Sequence, residues 1–181
     1  MNRDKALELM KSNVKNKNLR KHIFAVESVM KHLARRFKED EEKWGLVGLL
    51  HDLDYEKTVN DPDNHAVKTV EMLKEYNLPE DMISAILAHN KKAPIQSNLE
   101  KAIYCADPVT GMIVACALIH PDKNLDPIDP EFVIRRMGEK RFAASVNREA
   151  IMSCESLNLS LEQFIRISLD AMLEIRNELG L

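Results

Sequence analysis

The chain has 181 residues, 45% of them apolar and 30% charged, with five Gly and a formal net charge of −3. That length fits one domain able to bury roughly 70% of its unfolded surface, and the composition excludes a fibrous or disordered chain. Basic residues are spread rather than concentrated, which argues against a nucleic-acid polymer as partner.

Apolar residues recur at intervals of three and four, as in Val26, Val29, Met30, Leu33 and Phe37, a helical rather than a strand period. The expectation is an all-α, single-domain bundle over residues 1–181. Helices are expected near residues 3–13, 18–38, 40–53, 62–77, 80–90, 98–119 and 130–138. A last span runs from about residue 142 to Leu181, broken around Asn158 and Leu159. Helix starts are marked by Asp61-Pro62, by Pro79 followed by Glu80 and Asp81, and by Asp129-Pro130; Ser160 with Gln163 forms a capping box. Met1 to Lys17 is charged throughout with no apolar signal-peptide core, and no run reaches the roughly 18 apolar residues of a membrane span. A cytoplasmic protein without membrane contact is expected. Cys105, Cys116 and Cys154 lie in apolar helical patterns and are expected to be reduced and structural.

Several ionisable residues fall where apolar ones belong. His22 lies four before Val26 and seven before Val29, on the buried stripe of its helix. His51 follows Val47 by four, with Asp52 beside it after Gly45 and Gly48. His65 heads a stripe of Thr69, Met72 and Tyr76; His89 continues Met82 and Ile86; Asp107 shares a face with Ile103, Thr110 and Val114. One buried His alone is more often a satisfied core residue. Two inward carboxylates joined by four inward His are hard to bury without a cation, and that donor mixture suits Fe, Mn, Co, Ni or Zn. His32, among Lys31, Arg35 and Arg36, and His120, at a helix exit, are excluded as ligands and read as solvated or capping side chains.

The ordered set of His22, Leu49-Leu50-His51-Asp52 and Ala106-Asp107 resembles the HD-domain metal-dependent phosphohydrolases. With His65 and Ala88-His89-Asn90 it is similar to the small bacterial and archaeal HDIG-type hydrolases. The resemblance spans about residues 18–120, leaving a helical extension over about 130–181. It implies His22, His51, Asp52 and Asp107 as ligands of a first metal. His65 and His89 match the extra positions of two-metal members, such as the symmetrical dinucleoside tetraphosphatases, with Asp52 bridging; one ion or two remains open. The chain lacks the Gly-Tyr-Pro motif of the cyclic dinucleotide phosphodiesterases.

The chemistry expected from such a site is attack of metal-bound hydroxide on the phosphorus of a phosphomonoester or nucleotide phosphoanhydride. Asp54 and Glu56 are candidates to orient water or protonate a leaving group, with more weight on Asp54. Lys57, Lys91, Lys92, Arg141 and Arg148 are candidate substrate cations, and Tyr55 and Tyr104 candidate nucleobase contacts. A di-iron oxygen-dependent oxidase of the same superfamily and a non-catalytic nucleotide or metal sensor are the alternatives. Helices after Pro130 can cover the site or form a homodimer face.

Overall fold

The computed structural model describes residues 1–181 and is all-helical, with no strand. Its α-helices are α1 (Arg3–Asn13), α2 (Lys17–Phe37), α3 (Glu41–Leu50), α4 (Tyr55–Thr58), α5 (Val67–Leu73), α6 (Glu80–His89), α7 (Asn98–Ile119), α8 (Pro130–Met137), α9 (Arg148–Met152), α10 (Leu161–Glu174) and α11 (Arg176–Leu179). Side-chain caps set several starts: Asn16 accepts from Asn18 N and Leu19 N ahead of α2, Asp40 from Lys43 N ahead of α3, and Asp129 from Phe132 N ahead of α8. The Ser160–Gln163 capping box forms as read from the sequence, and a second, Ser97–Glu100, opens α7.

α2 lies at the centre, packed along α3 and against α7 and α10, while α6 packs on α7. One continuous core runs from Ala6 in α1 to Leu179 in α11. Glycine is required where α2 and α3 meet: a Cβ at Gly48 would sit 2.8 Å from Glu27 Cα, so the two backbones touch there. That close approach carries the end of α3 against the first turns of α2. α7 is long and apolar enough to cross a membrane, yet 61% of its most apolar window is buried inside the fold, as in a core helix. The three Cys are free and buried.

Two expected helices are broken, and both breaks serve the same place. The helix expected to reach residue 53 stops at Leu50. The Asp54 N–H is diverted to Thr69 Oγ1 at 3.1 Å instead of continuing the helix. The helix expected from Pro62 is only a 3-10 turn, Pro62–Asn64, followed by extended His65 and by Ala66 at φ +69°. Asp61 does not cap it; its carboxylate takes Asn64 and Lys68. A positive φ at Ala costs about 1 kcal/mol, and Ala66 cannot cap α5. Asp54 replaces that cap from another segment, Oδ2 accepting from Thr69 N at 3.1 Å. The last span is also more divided than expected, with irregular turns before Arg148, a 3-10 stretch Ser153–Leu157, and αL Asn158 at the expected break.

Candidate metal centre

The broken ends of α3 and α5 meet α2, α6 and α7 at one point, where His22, His51, Asp52, His65, His89 and Asp107 converge. His51, Asp52 and His89 are buried and the other three half-buried. Potential ligand atoms group as His22, His51 and Asp107, and as Asp52, His65 and His89, each group within 4.8 Å. The Asp52 carboxylate lies between them: Oδ2 is 3.8 Å from His22 Nε2 and 3.6 Å from His51 Nε2, and Oδ1 is 3.3 Å from His65 Nε2 and 3.6 Å from His89 Nε2. Asp107 Oδ1 stands 3.1 Å from His22 Nε2 and 3.9 Å from His51 Nε2. Pro108, which has no N–H, follows Asp107 inside α7 and removes one backbone bond beside it.

The outer nitrogens of all four rings are fixed. His51 Nδ1 donates to Gly48 O at 2.8 Å and His89 Nδ1 to Ile86 O, both carbonyls that can only accept. The Thr110 hydroxyl donates to Asp107 O at 2.9 Å, so it accepts from His22 Nδ1 at 3.0 Å. His65 Nδ1 donates to Asp54 Oδ1 at 2.8 Å. With every Nδ1 committed as an outward donor, each Nε2 faces the cluster, where it can hold either a proton against the carboxylates or, deprotonated, a metal ion, the arrangement that orients metal-ligating histidines.

The carboxylates draw positive charge to the cluster. Burial works against charge at His65, but hydrogen bonds to Asp52 and Asp54 and their charge outweigh it and raise its pKa to about 10. At Asp52 the cost of burial is overcome by the field of His51 and by hydrogen bonds from His65 and His89, so its carboxyl is held well below the usual range. Burial is likewise overcome at Asp107 by the hydrogen bond and charge of His22. Burial prevails at His51, whose pKa falls. His51 Nε2 is buried with no hydrogen-bond partner. An orphaned ring nitrogen of this kind costs about 1–3 kcal/mol. A divalent transition metal fits the donor set, since it would take that lone pair and neutralise the carboxylates.

The cluster floors an open cavity of about 730 Å³ whose wall includes Asn16, Asn18, Tyr55, Glu56, Ser145 and Asn147. Tyr55 stands edge-on to His65, ring centroids 5.5 Å apart.

Other expected site residues take different roles. Asp54 is fully buried, bonded to His65 and to α5, so it does not face water; it positions a ring. Glu56 lines the cavity but its Oε1 accepts from Lys15 N and Asn16 N. No Lys or Arg lines the cavity. Lys57 turns back to Asn13 Oδ1 at 2.9 Å, Lys91 sits over the Tyr104 ring at 5.6 Å, Lys92 is 3.9 Å from Asp63, and Arg141 is exposed. Arg148 is spent on backbone, donating to the carbonyls of Met137, Glu139, Phe142, Ala143 and Val146. It thereby gathers the turn that places Ser145 and Asn147 at the cavity wall. His32 is not solvated as expected: it is half-buried between Ser28 O and Glu174. Neither His32 nor His120 joins the cluster.

Thr110, Thr69 and the wall asparagines escaped the sequence reading as site residues. The signals were present: Thr110 lies three after Asp107 and Thr69 four after His65 on shared faces, and Asn16 and Asn147 precede helices as caps.

A family model described as HD domain matches residues 19–112, which contain all six clustered residues. Ribonuclease Y of Oleidesulfovibrio alaskensis is 30% identical over 96 residues, covering 53% of this chain and 18% of that protein, so this chain matches less than a fifth of the relative's length. No solved structure matches the chain. Motif order, cluster geometry and family match agree, and the chain belongs to the HD-domain family.

Proposed function

We propose that this chain is a metal-dependent hydrolase of a small phosphorylated molecule, with two divalent ions held by His22, His51 and Asp107 and by Asp52, His65 and His89, Asp52 reaching both groups. The observation that carries the reading is the convergence of four inward-facing Nε2 atoms and two carboxylates, with His51 Nε2 unpartnered and no Lys or Arg among them. The counter-charges available to these carboxylates are the imidazoles themselves, whose protons a divalent ion would displace. Bound transition metal supplies Lewis-acid charge and a water of lowered pKa.

The protein's own residues set the geometry. Thr110, Gly48 O, Ile86 O and Asp54 hold the rings in one tautomer and orientation. The open cavity admits a phosphate ester to the floor, and Tyr55 offers a ring face beside His65. In the overall reaction water oxygen bonds to phosphorus, the ester oxygen leaves and takes up a proton, and inorganic phosphate forms. The ribonuclease relative acts by its name on RNA; the net charge of −3 and the cation-free wall here favour a small substrate over a polyanion.

The test is phosphate release from a panel of nucleotides and sugar phosphates with and without added Mn, Co or Fe. Metal-dependent release, abolished by chelator and restored by metal, is the expected result. Metal binding with no release from any member would contradict hydrolysis and turn the site into a sensor.

A further inference from the structure

The cavity wall narrows the substrate class, on the reading that the site hydrolyses phosphate esters. Asp52, Glu56 and Asp107 give the cavity three carboxylates, and no Lys or Arg faces it. Sites for polyphosphate chains spread cationic or backbone N–H donors along every phosphate, because each added phosphoryl brings further negative charge. Positive charge here is concentrated at the floor, from the ions that would bind there and from the histidines around them, while Lys21 lines the adjoining pocket that shares Asn18, His22 and Gly111. A second or third phosphate would lie against the wall beside Glu56 without a counter-charge.

What the wall does offer is neutral donors. Asn16 Oδ1 accepts from Asn18 N and Leu19 N, which spends both its lone pairs, and Asn147 Oδ1 accepts from Ala150 N, so each amide oxygen is turned to a helix start. Neither Nδ2 has a protein acceptor, and the Asn18 and Ser145 side chains make no hydrogen bond at all. Each primary amide nitrogen carries two hydrogens, so the cap geometry leaves Asn16 a donor-only group and Asn147 with its two N–H donors free beside the cavity. Such donors match hydroxyl, ether and carbonyl oxygens of a sugar or base.

We infer that the site selects substrates with a single phosphoryl group on a neutral, oxygen-rich body, and that Asn16, Asn18 and Asn147 are specificity-determining donors to that body. Polyphosphates are rejected by the uncompensated charge rather than by size, since about 730 Å³ is ample room.

The experiment compares a nucleoside monophosphate with its triphosphate on the Mn-loaded full chain, free Mn²⁺ held constant, with inorganic phosphate and tripolyphosphate as competing ligands. The monophosphate should show kcat/KM at least about tenfold higher, and phosphate should compete better than tripolyphosphate. Preference for the triphosphate overturns the inference while leaving hydrolysis intact. If neither nucleotide turns over, calorimetric binding of phosphate against tripolyphosphate decides the selectivity alone, tighter tripolyphosphate overturning it, and the hydrolase reading stands or falls on the wider panel of nucleotides and sugar phosphates. Asn18→Lys, at an exposed side chain without partners, should shift the ratio about tenfold toward the triphosphate. Asn147→Asp keeps the acceptor for Ala150 N but replaces the donor with charge, and should raise KM for the monophosphate about tenfold with kcat nearly unchanged. Ratios unmoved by both variants overturn the role of the asparagine wall.

Discussion

α2 carries two buried ionisable sites five residues apart, about 140° around the helix, and they are built on opposite plans. Glu27 is 4% exposed, yet Arg3 takes both its oxygens at 2.5 and 3.0 Å and Lys31 adds a contact at 2.5 Å. That carboxylate brings its own cations and is complete. His22 points to the other cluster, where Asp52 and Asp107 have only histidines for company and His51 Nε2 has no partner. Permanent Arg and Lys charge offsets the burial in the first case; in the second the only counter-charge is titratable imidazole, which a metal ion can replace. The contrast separates an ion pair that holds α1 on α2 from a site that waits for a cation from outside.

The largest effect should come from Asp52→Ala, which removes the carboxylate facing both groups of ligands. Metal affinity and phosphate release should each fall by more than about 100-fold, since even residues that only orient ligands cost 10–100-fold; circular dichroism should show helix content retained. Unchanged metal content in this variant would erase the contrast. Asp54→Asn comes next: it can still accept from Thr69 N but loses the charge that holds His65 Nδ1. The ion at Asp52, His65 and His89 should bind about 10–100-fold more weakly, with the other ion little affected, as read by metal titration. Arg3→Ala breaks the paired plan instead. It should cost about 1–2 kcal/mol of stability, tempered because Lys31 remains and Arg3 is half exposed, while metal binding stays as in the parent.

Another buried carboxylate, at the start of α7, sharpens the comparison by needing no cation at all. Glu100 is penalised by burial, but the Ser84 hydroxyl and the Gln96 and Ser97 N–H groups more than offset this and lower its pKa. Because the folded value lies below the unfolded one, its contribution is full above the ordinary carboxylate pKa of about 4.3. It is lost as pH falls through the lower, folded-state value. Glu100→Gln should therefore cost about 1 kcal/mol near neutral pH, and the difference from the parent should shrink in denaturant titrations as pH drops below that range.

Legibility in the sequence followed the period of the chain. Long helices such as α2 and α7 were readable because their apolar stripes repeat over many turns, and the six clustered residues were readable because they interrupt those stripes. The breaks at Leu50 and at His65–Ala66 were not readable, because they depend on Asp54 bonding Thr69 across fifteen residues rather than on local propensity. The same holds for the cations. Lys57, Lys91 and Arg148 are basic residues near site motifs in sequence, but a side chain's partner is set in three dimensions, and theirs are Asn13, Tyr104 and a ring of carbonyls. Asn16 and Asn147 were legible as caps but not as cavity wall, since a cap signal says nothing of what the other half of the amide faces.

The central claim is that the histidine–aspartate cluster takes external divalent ions where the Glu27 site takes none. Calorimetric titration of metal-stripped protein with Mn²⁺, run in parallel on the parent and on His51→Ala, tests it most directly. The account predicts two equivalents bound by the parent and loss of at least one in the variant. Fewer than one equivalent in the parent, or an identical isotherm in both, would contradict it.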